Sequence, residues 1–263
     1  MVKSISDVFK HSKSQCVFIP FITAGFPNIE STAKAIKILD EEGADIIELG
    51  IPYSDPLADG PVIQVASTQA LLNGTRFKQI SDMLSKLIPE LRAPIVLFSY
   101  YNPILSMGPK TFVQDIAKLG VQGLLIPDLP LEESKELLEL TSNYGVDLIM
   151  LIAPTSSLSR IRSIANLSSG CIYLVSSTGV TGSRSEFAPN IYSVIENIKR
   201  VTSNPIIVGF GISHAEHIKE IKKLDIQGVV MGSALVNSLA TDNTPGLDNF
   251  RTLCRSSIKA IGS

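Results

Sequence analysis

The 263-residue sequence has little of several things, and most of the gaps exclude a class of function. Its three cysteines, Cys16, Cys171 and Cys254, are scattered, odd in number and match no metal-ligand spacing. They read as reduced thiols, not as a disulfide framework or a zinc site. There is no surplus of positive charge: 23 Lys and Arg stand against 25 Asp and Glu, for a formal net charge of −2. A nucleic-acid binder would normally carry a basic patch, so that class falls away. No apolar run approaches the roughly 20 residues that a membrane helix needs. The stretch from Met1 to His11 lacks the apolar core of a signal peptide and is too short for a transit peptide. A cytoplasmic chain is expected, or a plastid-stromal one if it is organelle-encoded. Neither a G-x-G-x-x-G after the first strand nor a P-loop is present, which removes the main support for a nucleotide-binding sheet. The absence of tryptophan excludes nothing.

What is present is apolar enough for a substantial core: 44% of residues are hydrophobic and 18% charged, with no sign of long disorder. Short β-forming runs alternate with segments of helical spacing. The apolar run Cys16–Thr23 is followed by a helix from Ser31 that stops at Gly43, and a strand around Glu48 by helices over Val62–Leu72 and Phe77–Leu91. Further strands are expected at Ile95–Tyr100, Gly123–Ile126, Asp147–Ile152, Ile172–Val175, Ile206–Val208 and Gly228–Met231. A short amphipathic segment (Ile5, Val8, Phe9) precedes them all, and the tail from Ala234 to Ile261 reads as two helices broken at Asn243–Gly246. Helices are also expected over Leu131–Asn143 and His214–Leu224, and Asn102-Pro103 reads as a break. Strand–helix alternation implies parallel strands with right-handed crossovers. Eight such units in about 250 residues match a (β/α)8 TIM barrel. The expectation is therefore one barrel domain over residues 1–263, with an extra N-terminal helix and additional helices after strands 2 and 8.

In such a barrel the chemistry sits at the C-terminal strand ends and the loops that follow. The stretch Asp45–Pro61, D-I-I-E-L-G-I-P-Y-S-D-P-L-A-D-G-P, is the most informative one there. Glu48 lies inside an apolar strand run, where a carboxylate is costly unless paired, neutralised or facing a polar cavity. Asp59 lies on the loop after it. Two acids on different supports can have their pKa values pushed apart, which suits acid/base work. On the local residues alone, a charged surface loop beside an acid at a strand edge remains the alternative. Phe21, Tyr100 and Asp128 fall near the ends of strands 1, 3 and 4, and the ring of Tyr173 could line a cavity or simply pack in the core. Gly209-Phe210-Gly211 after strand 7 and Gly232-Ser233 after strand 8 could close backbone N–H groups on a phosphate, or could be turns only. Residues 178–184 look like a lid, and Arg184 could assist a phosphate. His214 and His217, three apart, have no matching ligand set and read as solvated, so no metal is expected.

Taken together, F-I-T-A-G-F-P (Phe21–Pro27), E-L-G-I-P-Y-S-D-P-L-A-D-G-P (Glu48–Pro61), P-D-L-P-L-E-E-S (Pro127–Ser134), G-V-T-G (Gly179–Gly182) and G-F-G-I-S (Gly209–Ser213) resemble the tryptophan synthase alpha chain family, in register from about Ser4 onward. The resemblance implies a (β/α)8 lyase of L-tryptophan biosynthesis. Such a lyase cleaves indole-3-glycerol phosphate by a retro-aldol reaction to indole and glyceraldehyde 3-phosphate. It implies no cofactor in this chain, and a pyridoxal-phosphate-dependent beta chain as partner in an alpha2beta2 heterotetramer, docking in part through Asp55 and Pro56. By the same resemblance Glu48 is the general acid/base and Asp59 the second catalytic carboxylate. Phe21, Tyr100, Tyr173, Thr181 and Phe210 become substrate contacts, and Gly182, Gly211, Gly232 and Ser233 phosphate contacts. Ser177-Thr178 departs from the arginine-containing sequence of many bacterial members, which bears on lid closure. In this scheme Glu48, its pKa raised by apolar neighbours, protonates indole C3 and accepts the hydroxyl proton. Asp59 is expected to stay ionised through solvent and a hydrogen bond from Thr181. Two other readings stand beside the lyase: a non-catalytic barrel that docks and activates a partner, and a different phosphate-binding barrel such as an isomerase.

Overall fold

Runs of Ile, Val and Leu too short for helices become parallel strands in the computed structural model, which describes residues 4–12, 16–176, 190–210, 224–242 and 244–262. The strands are β1 (Val17–Thr23), β2 (Ile47–Gly50), β3 (Ile95–Phe98), β4 (Gly123–Leu125), β5 (Asp147–Ile152), β6 (Ile172–Val175), β7 (Ile206–Phe210) and β8 (Gly228–Met231). They pair in chain order, and β8 returns to β1 to close the barrel. Because parallel strands are covered on both faces, their sequences read as continuous apolar runs. The two faces feed different cores. On β1, Val17, Ile19 and Phe21 join the cluster inside the barrel, whereas Phe18 and Ile22 join the one beneath the helices. That period of two also places Glu48, two residues beyond interior Ile46, among the inward-facing side chains.

The surrounding helices are α1 (Ile5–His11), α2 (Ile29–Glu42), α3 (Pro61–Leu72), α4 (Phe77–Leu87), α5 (Tyr101–Met107), α6 (Pro109–Leu119), α7 (Lys135–Tyr144), α8 (Leu158–Leu167), α9 (Ile191–Lys199), α10 (Ser233–Thr241) and α11 (Asp248–Gly262). The expected N-terminal helix and the paired helices after β2 and β8 are present. Helices α2, α6 and α7 end on Gly43, Gly120 and Gly145, each in the left-handed region that a side chain resists. Helix α1, capped by Ser4, covers the N-terminal end of the barrel. Its Ile5 is fully buried and lies against both Gly123 and Gly170. Among the described residues no helix is long and apolar enough to cross a membrane.

The strand ends before Asn102-Pro103 as expected, and these two residues lie in the first turn of α5, where a proline forfeits only an N–H that has no helical partner. Two expectations are corrected. Residues 131–133 form a 3-10 turn, and the α-helix starts only at Lys135. Strand β7 continues through Phe210, so Gly209 is a strand residue and not part of a turn. The helix expected over His214–Leu224 lies almost wholly outside the described residues.

Candidate active site

The site assembles where β1, β2, β3 and β6 present their C-terminal ends. Glu48 is 2% exposed and in register between Phe21 on β1 and Val96 on β3. Asp59 approaches from the loop after β2 and is 5% exposed. That loop is closed by its own backbone: the N–H of Leu57 donates to Asp55 and the N–H of Asp59 to Pro56, each at 3.0 Å. The Asp59 carbonyl in turn accepts from Gln64 Nε2 of α3 at 2.8 Å. The solvated, Thr181-bonded Asp59 expected from the sequence is thus half corrected. The carboxyl is buried, and its hydrogen bond comes from the Tyr100 hydroxyl; Thr181 lies outside the described residues.

Tyr100 sits one residue before α5, and its hydroxyl both donates to Asp59 and accepts from the Ala58 N–H at 3.0 Å. Burial and the adjoining Asp59 charge hold the phenol far above its ordinary pKa, so it acts as a fixed donor. Its ring is 5.2 Å from Tyr53 and 6.0 Å from Phe98, and Phe98 meets Phe21 edge-on at 5.6 Å. These rings wall one side of the site. Asp128, read as a rim residue, accepts the Tyr101 N–H at 2.9 Å and so caps α5. Its part is to hold the helix that carries Tyr100 at its head.

Three glycines leave the space that the aromatic rings fill. A Cβ on Gly50 would come within 2.6 Å of Phe21 Cζ, and one on Gly232 within 3.3 Å of Phe21 Cδ1. The Phe21 ring therefore lies between β2 and the turn that opens α10, where Gly232 is the N-cap and Ser233 the first helical residue. A helix N-terminus with a glycine cap presents N–H groups to an anion. A Cβ on Gly209 would fall 2.1 Å from the Tyr173 hydroxyl oxygen, so that ring lies across β7. Tyr173 is half-buried, and its phenol is pushed well above its ordinary pKa by burial, then by Glu48 and Asp59. It is therefore close to both acids. Gly209→Ala must displace this ring: turnover at the site is expected to fall about 10- to 100-fold, since small misplacements in a site cost on that scale. A far-ultraviolet spectrum unchanged from the parent, with full activity, would contradict it.

The acids differ in the way acid/base chemistry requires. Burial, reinforced by the Asp59 charge, raises Glu48 from 4.5 to about 8. Burial raises Asp59 from 3.8 to about 6, with the Tyr100 hydrogen bond pulling the other way. Near pH 7 Glu48 thus holds its proton while Asp59 is mostly ionised. Sequence reasoning found both acids, Phe21, Tyr100, Tyr173, Gly232 and Ser233, and these converge. Phe210 ends β7, while Thr181, Gly182, Gly211, Arg184, His214, His217 and the stretch 178–184 where a lid is expected lie outside the described residues. It missed Gly50 as the seat of Phe21 and the Tyr100–Asp59 bond. Among the described residues no group of three or more His, Cys, Asp or Glu side chains could hold a metal ion.

The comparisons with known proteins agree along the whole chain. A tryptophan synthase alpha chain of Acaryochloris marina is 51% identical over 256 residues, 96% of each chain. One of Pyropia yezoensis is 49% identical over 262 residues, 99% of each. Among solved structures, Mycobacterium tuberculosis tryptophan synthase superposes with a TM-score of 0.90 at 31% identity over all of both chains. A tryptophan synthase complex of Pyrococcus furiosus gives 0.85 at 33% identity over 94% of this chain and 99% of the other. The family model described as Tryptophan synthase alpha chain matches residues 9–261. With a closed eight-stranded barrel, two buried acids at its rim and relatives of this similarity over nearly its full length, the chain belongs to the tryptophan synthase alpha chain family.

Proposed function

We propose that the alpha reaction of tryptophan synthase, the cleavage of indole-3-glycerol phosphate to indole and glyceraldehyde 3-phosphate, runs in this chain on Glu48 and Asp59. Family membership makes the chain a carbon–carbon lyase of tryptophan biosynthesis. The observation that carries the residue assignment is the pair of buried carboxyls with separated pKa values beside one set of aromatic rings. Protonated Glu48 gives its proton to indole C3. The bond from C3 to the side chain then breaks as the adjacent hydroxyl becomes the aldehyde, and its proton returns to the Glu48 carboxylate. No net proton is lost. Asp59, ionised and held by Tyr100, accepts from the indole N–H and balances the positive charge that C3 protonation places on the ring. Phe21, Tyr100 and Tyr173 bound the indole, with Thr181 and Phe210 proposed beside them. The α10 N-terminus at Gly232 and Ser233 takes the phosphate together with Gly182 and Gly211.

The test is to mix purified chain with indole-3-glycerol phosphate and measure indole, alone and with a beta chain. A docking barrel without chemistry yields none in either case, and an isomerase yields a rearranged ring. Asp59→Asn is expected to lower kcat by about 10²- to 10³-fold, the scale of one proton-transfer or charge-balancing group, and to remove the acid limb of the pH profile near pH 6. A variant that keeps both rate and limb would take Asp59 out of the scheme.

The beta chain, with its pyridoxal phosphate, is the proposed partner in an alpha2beta2 assembly. Asp55 and Pro56 offer the docking loop. Leu57 beside them is 74% exposed, an apolar side chain that a partner would cover. The reaction is placed in the cytoplasm, or in the plastid stroma for an organelle-encoded chain.

A further inference from the structure

Beneath Glu48 the barrel interior is not filled. A void of about 10 Å³ is lined by six aliphatic side chains, Ile19 and Ile207 among them, and by two groups able to form hydrogen bonds, Glu48 and Cys171. It is no larger than the space one water needs. Every other side chain on its wall is a branched aliphatic, so the small residue on β6's approach is the exception.

Cys171 is fully buried, and its backbone is pinned on both sides: its N–H donates to Ser169 at 2.8 Å and its carbonyl accepts from Ser168 Oγ at 2.7 Å. The residue that lines the void is thus anchored through its backbone. The charged and titratable groups around it are few. Glu48 and, farther up, Asp59 and Tyr173 lie above; Asp147 of β5 lies below, accepting from the Ser169 hydroxyl and the Ile5 N–H. Burial, then Asp147 and Glu48, drive the thiol well above its ordinary pKa, so it stays a donor over the whole range in which Glu48 changes charge.

We propose that Cys171 is a positioning residue for Glu48, its thiol donating to one water held in the void, which in turn donates to the carboxylate, so that the pair sets how readily Glu48 gives and takes its proton. The inference rests on the reading of Glu48 as the acid, and its test is separable from that reading. The protonated carboxyl band of Glu48 is followed by infrared difference spectroscopy against pH, identified as the band missing in Glu48→Gln. Cys171→Val and Cys171→Thr share a shape and differ in one hydroxyl, and Cys171→Ser strengthens the donor at smaller volume. The Glu48 midpoint is expected about one pH unit lower in Cys171→Thr than in Cys171→Val, and lower in Cys171→Ser than in the parent, because a donor to the charged form favours it. A merely structural cysteine would change melting temperatures without separating Thr from Val. Coincident midpoints for that pair overturn the proposal; should either fail to fold, a Cys171→Ser midpoint equal to the parent's does so. Cleavage that survives in Glu48→Gln, alongside shifted midpoints, would instead overturn the catalytic reading and leave the thiol contact standing.

Discussion

Glu48→Gln is expected to lower kcat for indole-3-glycerol phosphate cleavage by about 10⁴-fold or more, with binding of glyceraldehyde 3-phosphate held within about threefold of the parent. Glutamine keeps the size of the side chain and its seat between Phe21 and Val96, so the aromatic wall stays in place. What it loses is the exchangeable proton. In the proposed scheme Glu48 serves twice, as acid toward C3 and as base toward the hydroxyl, and each such role is worth about 10²- to 10⁴-fold. The two effects need not multiply, since groups acting in one step are not additive. The proposed phosphate contacts lie at the α10 N-terminus after β8, whereas Glu48 is on β2, and this is why affinity for the phosphorylated product should survive. Turnover within about tenfold of the parent would remove Glu48 from the mechanism, whatever its burial.

How much of this was readable beforehand follows from what kind of contact each feature depends on. The barrel was legible because its signal is local: apolar runs, helical spacing and glycine stops repeat along the chain, and parallel strands buried on both faces need no pairing information to be recognised. Glu48 was legible for a related reason, being the one carboxylate inside such a run. Asp59 was found but misjudged. A loop of Pro, Asp and Gly reads as solvated, and only tertiary packing of α3 and Tyr100 around it makes it 5% exposed. The Tyr100–Asp59 bond, the cap that Asp128 places on α5, and the seats that Gly50 and Gly209 provide for Phe21 and Tyr173 join strands far apart in sequence. No local pattern announces them. Gly209 carries the sharpest case: its place in G-F-G suggested a phosphate turn, whereas within β7 it makes room for a ring from β6.

Stability should fall as pH rises from about 4.5 to 8, and Glu48→Gln should abolish much of that fall. Both acids bind protons more tightly folded than unfolded: Glu48 moves from 4.5 to about 8 and Asp59 from 3.8 to about 6. Between these limits the native chain carries more protons than the unfolded one, so the slope of unfolding free energy against pH is negative. Their contribution is full below the unfolded values and is lost as pH passes through the folded ones, Asp59 first and Glu48 last. At 1.36 kcal/mol per unit, Glu48 alone accounts for at most about 5 kcal/mol. Glutamine does not titrate, but its buried amide costs about 1–3 kcal/mol where it lacks the acid's partners. The variant is therefore expected to melt at or below the parent at pH 5 and about 5 °C above it at pH 9, the shift that two or three kcal/mol gives a chain of this size. A melting-temperature difference that stays flat from pH 5 to 9 would show that Glu48 does not exchange its proton in that range, and with it the acid that the cleavage requires near neutrality would be gone.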